Sequence, residues 1–225
     1  KVTTTKKLID SKELASFRVE IIVLKYPDVI CEQFRKIKYA DELEFIVGHE
    51  KRNKYIRNLV LSLDGNTLLL FRLVKKHGRI LYNMIKEETD VKNRQTFFVY
   101  GGTETDTREQ IRAITEKSDN AIIIASFGTF STGINIRNLH NIVFSSPSKS
   151  PIRILQSIGR GLRVGDKKQS ATVYDISDDL TYKDKKNFTL THFQERVNIY
   201  NREGFDYEIH SVDLKWYQME ILSFY

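Results

Sequence analysis

From residue 67 onward, short apolar runs alternate with stretches of helical periodicity. Residues 67–71 are a short apolar run read as a buried strand, 96–100, 121–125, 141–145 and 170–175 read as further strands, and 205–212 as a last one. Between them, 75–87 carries apolar residues at 81, 84 and 85, a helical spacing. Residues 103–117 predict a helix with Ile111 and Ile114 inward and Thr103 or Thr105 near its cap. Residues 150–158 and 188–203 predict two more, the first with Pro151 in its opening turn. Apolar strands separated by helices specify an α/β fold, a parallel sheet with helices on both faces. Ligands of such sheets gather at the carboxyl ends of the strands. The loops at 101–103 and 126–135 follow strand ends and are the candidate functional loops. Residues 1–63 are different: a short helix over 7–14, a strand over 18–24 and a mostly helical stretch over 39–63. No repeat, low-complexity tract or Pro/Gly-rich linker interrupts the chain.

The 225 residues suffice for one large domain or two small ones, and 40% hydrophobic content supports a real core. No apolar run approaches the roughly 20 residues of a membrane helix. The N-terminus lacks both an apolar leader pattern and an initiator Met, so the chain is expected to be a fragment or a processed product. Cys31, the single cysteine, cannot form an internal disulfide and is compatible with a reducing compartment. One cysteine and five scattered histidines offer no metal-ligand spacing. The net charge of +7 mildly favours a polyanionic partner. Basic residues concentrate at Arg72, Lys75, Lys76, His77 and Arg79, and again at Lys183, Lys185 and Lys186. The first group suits either a nucleic-acid backbone or a solvated loop.

The most specific chemistry lies at Gln156, Gly159, Arg160 and Arg163. Two guanidiniums that cannot lose their charge, spaced around a glycine, suit a polyphosphate whose charge builds up during transfer. Upstream, Ser126, Gly128, Thr129, Gly133 and Asn135 form a loop of small residues able to offer hydroxyls and backbone N–H groups to phosphates. Gly128 and Gly133 have P-loop spacing, but Ile134 and Asn135 stand where Lys and Ser/Thr are required, so this is not a Walker A loop. Asp41-Glu42-Leu43-Glu44 has no buried strand before it and reads as a solvated helix start, not a Mg²⁺-binding carboxylate box. Asn187-Phe-Thr189 matches a glycosylation sequon, but nothing suggests secretion. The aromatic tail from Trp216 reads as core or interface rather than a base-stacking platform.

Taken in order, 126–135 and 156–163 resemble motifs V and VI of superfamily 2 helicases. Residues 68–71 with the following basic loop are similar to motif IV, and Gly101, Gly102 and Thr103 with Arg108 to the next glycine-rich segment. His192, Arg196 and Tyr200 before Phe205 extend the resemblance over nearly the whole chain. It implies a second, C-terminal RecA-like domain over 18–225, with 1–17 arriving from a first motor domain. It further implies an ATP-driven motor on branched or duplex DNA, using ATP and Mg²⁺ held mainly by that first domain. Gln156, Arg160 and Arg163 match positions that reach the γ-phosphate; Gly133, Asn135 and Gly159 match the nucleotide-binding positions. Asn135 stands where many relatives have aspartate. Ser126 and Thr129, Gly102 and Thr103, and Arg72, Lys75, Lys76 and His77 fall on the implied DNA-binding segments. Walker A, the carboxylate box and motif III do not occur in these 225 residues. The competing reading is a stand-alone nucleic-acid-binding module without ATPase activity; a nucleotide-sensing regulator is disfavoured by the failed P-loop.

Overall fold

Residues 16–131, 136, 138–147 and 170–215 are described in the computed structural model. The helices expected over 7–14 and 150–158 and the aromatic tail lie outside the described residues. The strands are β1 (Ser16–Lys25), β2 (Thr67–Phe71), β3 (Thr96–Val99), β4 (Ile122–Ser126), β5 (Asn141–Phe144), β6 (Ser170–Asp179) and β7 (Asp206–Asp213). They form one sheet in the order β3-β4-β2-β5-β6-β1-β7, with every pairing parallel.

Both faces of the sheet are covered, which is why the central strands carry continuous apolar runs. On β2, Leu68 and Leu70 point into one core and Leu69 and Phe71 into the other. The first core is closed by α5 (Thr105–Lys117) through Ile111 and by α7 (Phe188–Glu203) through Leu190, Phe193 and Tyr200. The second is closed by α1 (Asp28–Phe34), α2 (Tyr39–Gly48), α3 (Glu50–Ser62) and α4 (Arg79–Val91), through Cys31, Ile46, Ile56, Val60, Leu81 and Ile85. A single short helix, α6 (Phe127–Ser131), follows β4 directly.

Four local readings change. The stretch 39–63 breaks into α2 and α3 at His49, whose extended backbone ends one helix and whose Nδ1 accepts from Arg52 N–H at the start of the next. The expected loop after β2 is one turn of π-helix, Val74–Gly78, running into α4. Gly78 is needed there, because a Cβ would sit 2.5 Å from the Phe71 ring. In α5, Ile111 is buried but Ile114 is 39% exposed; Thr115 takes the inward position and returns its hydroxyl to the Ile111 carbonyl. Glu42 is not solvated. It is buried, and its carboxylate accepts from the N–H groups of Phe188 and Thr189 and from Asn187 Nδ2. The charge of α2 thus caps the amino end of α7, where an anion is favoured. Asn187 is correspondingly buried within the fold, so its amide is engaged there and not presented for glycosylation. At the other end of α7, Gly204 adopts φ +73°, and the N–H groups of Gly204 and Phe205 close on Asn201 and Tyr200.

Candidate functional site at the carboxyl edge of the sheet

Parallel pairing brings the ends of β3, β4, β2 and β5 side by side. Strand spacing of roughly 4.8 Å puts the four ends within about 14 Å of one another. The row reads Gly102 and Thr103, then Ser126, then Arg72, then Ser146.

After β3, Gly101 and Gly102 are exposed, and a Cβ on Gly102 would meet the Tyr100 ring at 2.7 Å. Thr103 closes this turn: its hydroxyl accepts from Tyr100 N–H at 3.0 Å, and its own N–H donates to the Tyr100 carbonyl. Arg108 ties the turn down from α5, donating to the carbonyls of Thr103 and Gly101. At the end of β4, Ser126 is half-buried and accepts from Thr129 N–H, with the two hydroxyl oxygens 2.7 Å apart. Thr129 is itself only 4% exposed. Its expected surface contact is therefore replaced by support of the loop, leaving Ser126 and the exposed Gly128 at the edge.

After β2, Arg72, Lys75 and Lys76 are exposed, with Arg72 near the Tyr39 hydroxyl and Lys76 paired to Glu44. His77 departs from the expected basic surface loop. It is fully buried, with Nδ1 3.0 Å from Ser146 Oγ, because the π-turn swings it under the sheet edge. Burial, reinforced by the nearby Arg52 charge, holds its pKa well below the usual histidine value. The sign of the pH effect follows. Below about pH 6.5 the unfolded chain takes up a proton that folded His77 refuses, so stability is full above that pH and declines as the pH falls. The slope from this one group reaches at most about 1.4 kcal/mol per pH unit. His77→Asn is expected to flatten the loss between pH 7.5 and 5.5 in urea-unfolding midpoints; an unchanged pH dependence would contradict it.

Beneath the edge lie two buried ion pairs that sequence reading did not anticipate, since arginines in helices count as polar surface. Arg52 of α3 donates from Nε and Nη2 to both carboxylate oxygens of Asp178, at 2.7 and 3.0 Å, and from Nη2 to the Ser145 carbonyl. Tyr26 donates its hydroxyl to the same carboxylate, and burial beside Asp178 pushes that phenol's pKa well up. Burial works against the Arg52 charge, but Asp178 and Tyr26 outweigh it, so its pKa is raised. Arg196 of α7 makes the matching pair with Asp175, joined by Ser177 and Tyr200. Arg52 thus ties the end of β5, at the Ser145 carbonyl, to the carboxyl end of β6 at Asp178, and Arg196 holds the middle of β6 against α7. With Asp175 and Asp178 both committed to guanidiniums, neither is free to hold Mg²⁺.

Gly133, Asn135, Gln156, Gly159, Arg160 and Arg163 lie outside the described residues. Among the described residues one metal-type cluster occurs, Glu20, Glu208 and His210 on β1 and β7. Arg18 bridges both carboxylates, which makes it an ion-pair network on the sheet edge. No described helix is long and apolar enough to cross a membrane.

An all-parallel sheet with this strand order and its loops gathered at one edge is a RecA-like domain of the superfamily 2 helicase type. The family model for the helicase conserved C-terminal domain matches residues 50–165, and the chain belongs to that family. It is 35% identical over 227 residues to the ATP-dependent DNA helicase uvsW of Enterobacteria phage T4, covering 95% of this chain and 44% of that protein. The crystal structure of T4 UvsW superposes with a TM-score of 0.77 at 34% identity, over 95% of this chain and 43% of that one. A fragment of a putative HsdR subunit of a type I restriction enzyme from Vibrio vulnificus shares the fold at a TM-score of 0.64 and 14% identity, over 95% of this chain and 39% of that one. The chain thus spans under half the length of the relative it matches.

Proposed function

We propose that this chain is the C-terminal motor domain of an ATP-dependent DNA helicase that acts on branched DNA in recombination and replication repair. The observation that carries the reading is the 35% identity to an ATP-dependent DNA helicase over 95% of the chain. In this reading an N-terminal RecA-like domain of the same polypeptide holds ATP and Mg²⁺. The nucleotide supplies the phosphoryl group whose transfer drives the motor. Gln156, Arg160 and Arg163 reach across the cleft to the γ-phosphate, with Gly133, Asn135 and Gly159 beside the nucleotide. Two arginines and a glutamine fit that role because they offer planar, fixed-geometry donors to oxygens that gain charge during transfer. Ser126, Gly102, Thr103, Arg72, Lys75 and Lys76 meet the DNA backbone, supported by their row along one edge of the sheet.

The test is domain complementation. The purified 225-residue chain is expected to fold yet show no ATP turnover above background, for want of a phosphate-cradling lysine and metal carboxylates. Adding the first RecA-like domain should give Mg²⁺-dependent turnover that DNA stimulates. DNA binding without any turnover in the mixture would favour a nucleic-acid module instead.

A further inference from the structure

A second feature of the same edge lies beyond the helicase motifs. Between the α1–α2 loop and the start of α7, over the end of β6, is a cleft of about 310 Å³. That is the size of the smaller small-molecule sites, about 300 Å³. Its apolar lining comes from Phe34, Ile37, Leu180 and Phe188, and its basic rim from Arg35, Lys185 and Lys186. Phe188 is 47% exposed, an unusual cost for a phenyl ring at a helix start, and Tyr39 stands edge-on to it at 6.1 Å. The rim belongs to two exposed segments: 35–38 contributes Arg35, Lys36 and Lys38, and 183–186 contributes Lys183, Lys185 and Lys186 against Asp184 alone. Arg35 also contacts Glu32 and lies over the Tyr182 ring.

The acidic groups in the cleft decide where an anion sits. Glu42 already occupies the amino end of α7, so no phosphate uses those N–H groups. Glu195 lines one wall, leaving the lysine side for negative charge. An exposed ring on an apolar floor beside a row of cations matches an unstacked base with its flanking phosphates. Tyr39, which packs on Phe188, also contacts Arg72, joining this cleft to the row of strand ends. Ser126 lies three strands away, about 14 Å along the sheet.

We propose that this cleft takes one unstacked base of single-stranded DNA, stacked on Phe188, with the adjoining phosphates on Lys185, Lys186 and Arg35. The proposal rests on the motor reading above and adds a single-strand site outside the motif segments. It is tested by fluorescence anisotropy of the 225-residue chain with a labelled oligothymidine and a labelled blunt duplex, at several salt concentrations, with thermal midpoints as a folding control. Phe188→Ala is expected to weaken oligothymidine binding about tenfold, the scale of removing one base–aromatic stack, and to leave duplex binding unchanged. The double variant Lys185→Gln/Lys186→Gln is expected to lower the slope of log affinity against log salt by about 1.4, about 0.7 for each phosphate left without its cation. Should both variants bind oligothymidine like the parent while Lys75→Gln/Lys76→Gln binds less, DNA binding stands and the cleft assignment is overturned. Competition by polyglutamate as effective as by oligothymidine would assign the cleft to an acidic protein segment and overturn it too. Absence of any DNA binding by the parent would overturn the cleft site, whereas the motor reading would fall only if the complementation mixture also gave no DNA-stimulated turnover.

Discussion

Replacing Arg160 or Arg163 with lysine in the assembled two-domain enzyme is expected to cut DNA-stimulated ATP turnover by at least about a hundredfold, the scale of removing one transition-state donor. Lysine keeps the positive charge but loses the planar fork that spans two phosphate oxygens. Ground-state nucleotide binding should change little, because in the proposed reading the first domain holds most of the nucleotide. Strand separation should fall with turnover if, as proposed, closure around the γ-phosphate couples the two domains. A structural salt bridge at these positions would show the opposite order, with a lowered thermal midpoint and turnover per folded molecule preserved. Turnover and midpoint measured on one preparation separate the two.

The largest expected loss of stability follows from Arg52→Met. Arg52 and Asp178 are both fully buried, with the carboxylate bound to Nε, Nη2 and the Tyr26 hydroxyl. Removing the guanidinium leaves Asp178 buried with the tyrosine alone, which costs about 3–5 kcal/mol for a broken buried pair. For a domain of this size each kcal/mol moves the midpoint by about 2–4 °C, so a drop of about 10 °C is expected. The double variant Arg52→Met/Asp178→Leu should recover much of it, because a buried pair is often replaceable by apolar side chains at little net cost. A midpoint unchanged in the single variant would mean that water or a rearrangement satisfies Asp178. Arg52 also holds the Ser145 carbonyl, at the end of the strand that precedes the arginine-bearing segment. Loss of turnover per folded molecule in the double variant would then report that anchoring, separately from stability.

The central strands were legible because burial on both faces leaves an unbroken apolar signature, as in 67–71 and 121–125. The motif spacing was legible for a different reason: chemistry requires particular residue types in order, whatever surrounds them. What stayed hidden depends on partners far away in sequence. Glu42 looks solvated among Asp41 and Glu44 until α7 arrives 146 residues later with unpaired N–H groups for it to accept from. Arg52 and Arg196 sit at helical positions that a hydrophobicity pattern assigns to water, and only the carboxylates of β6 make their burial tolerable. His77 belongs to a basic string by sequence, yet the π-turn shifts the local phase and turns its ring inward. The helix α1 is seven residues long and buries one side chain, Cys31, too little to mark a period.

The proposal that Arg160 and Arg163 complete a nucleotide site held by the first RecA-like domain is tested most directly by association with that domain, followed by sedimentation velocity in the presence of DNA and a γ-phosphate transition-state analogue with Mg²⁺. A domain that supplies Arg160 and Arg163 to a nucleotide held elsewhere should stay monomeric alone, bind no analogue by itself, and join its partner only when analogue and DNA are both present. Arg160→Lys should weaken that joining. Tight analogue binding or Mg²⁺-dependent turnover by the 225-residue chain alone would contradict it.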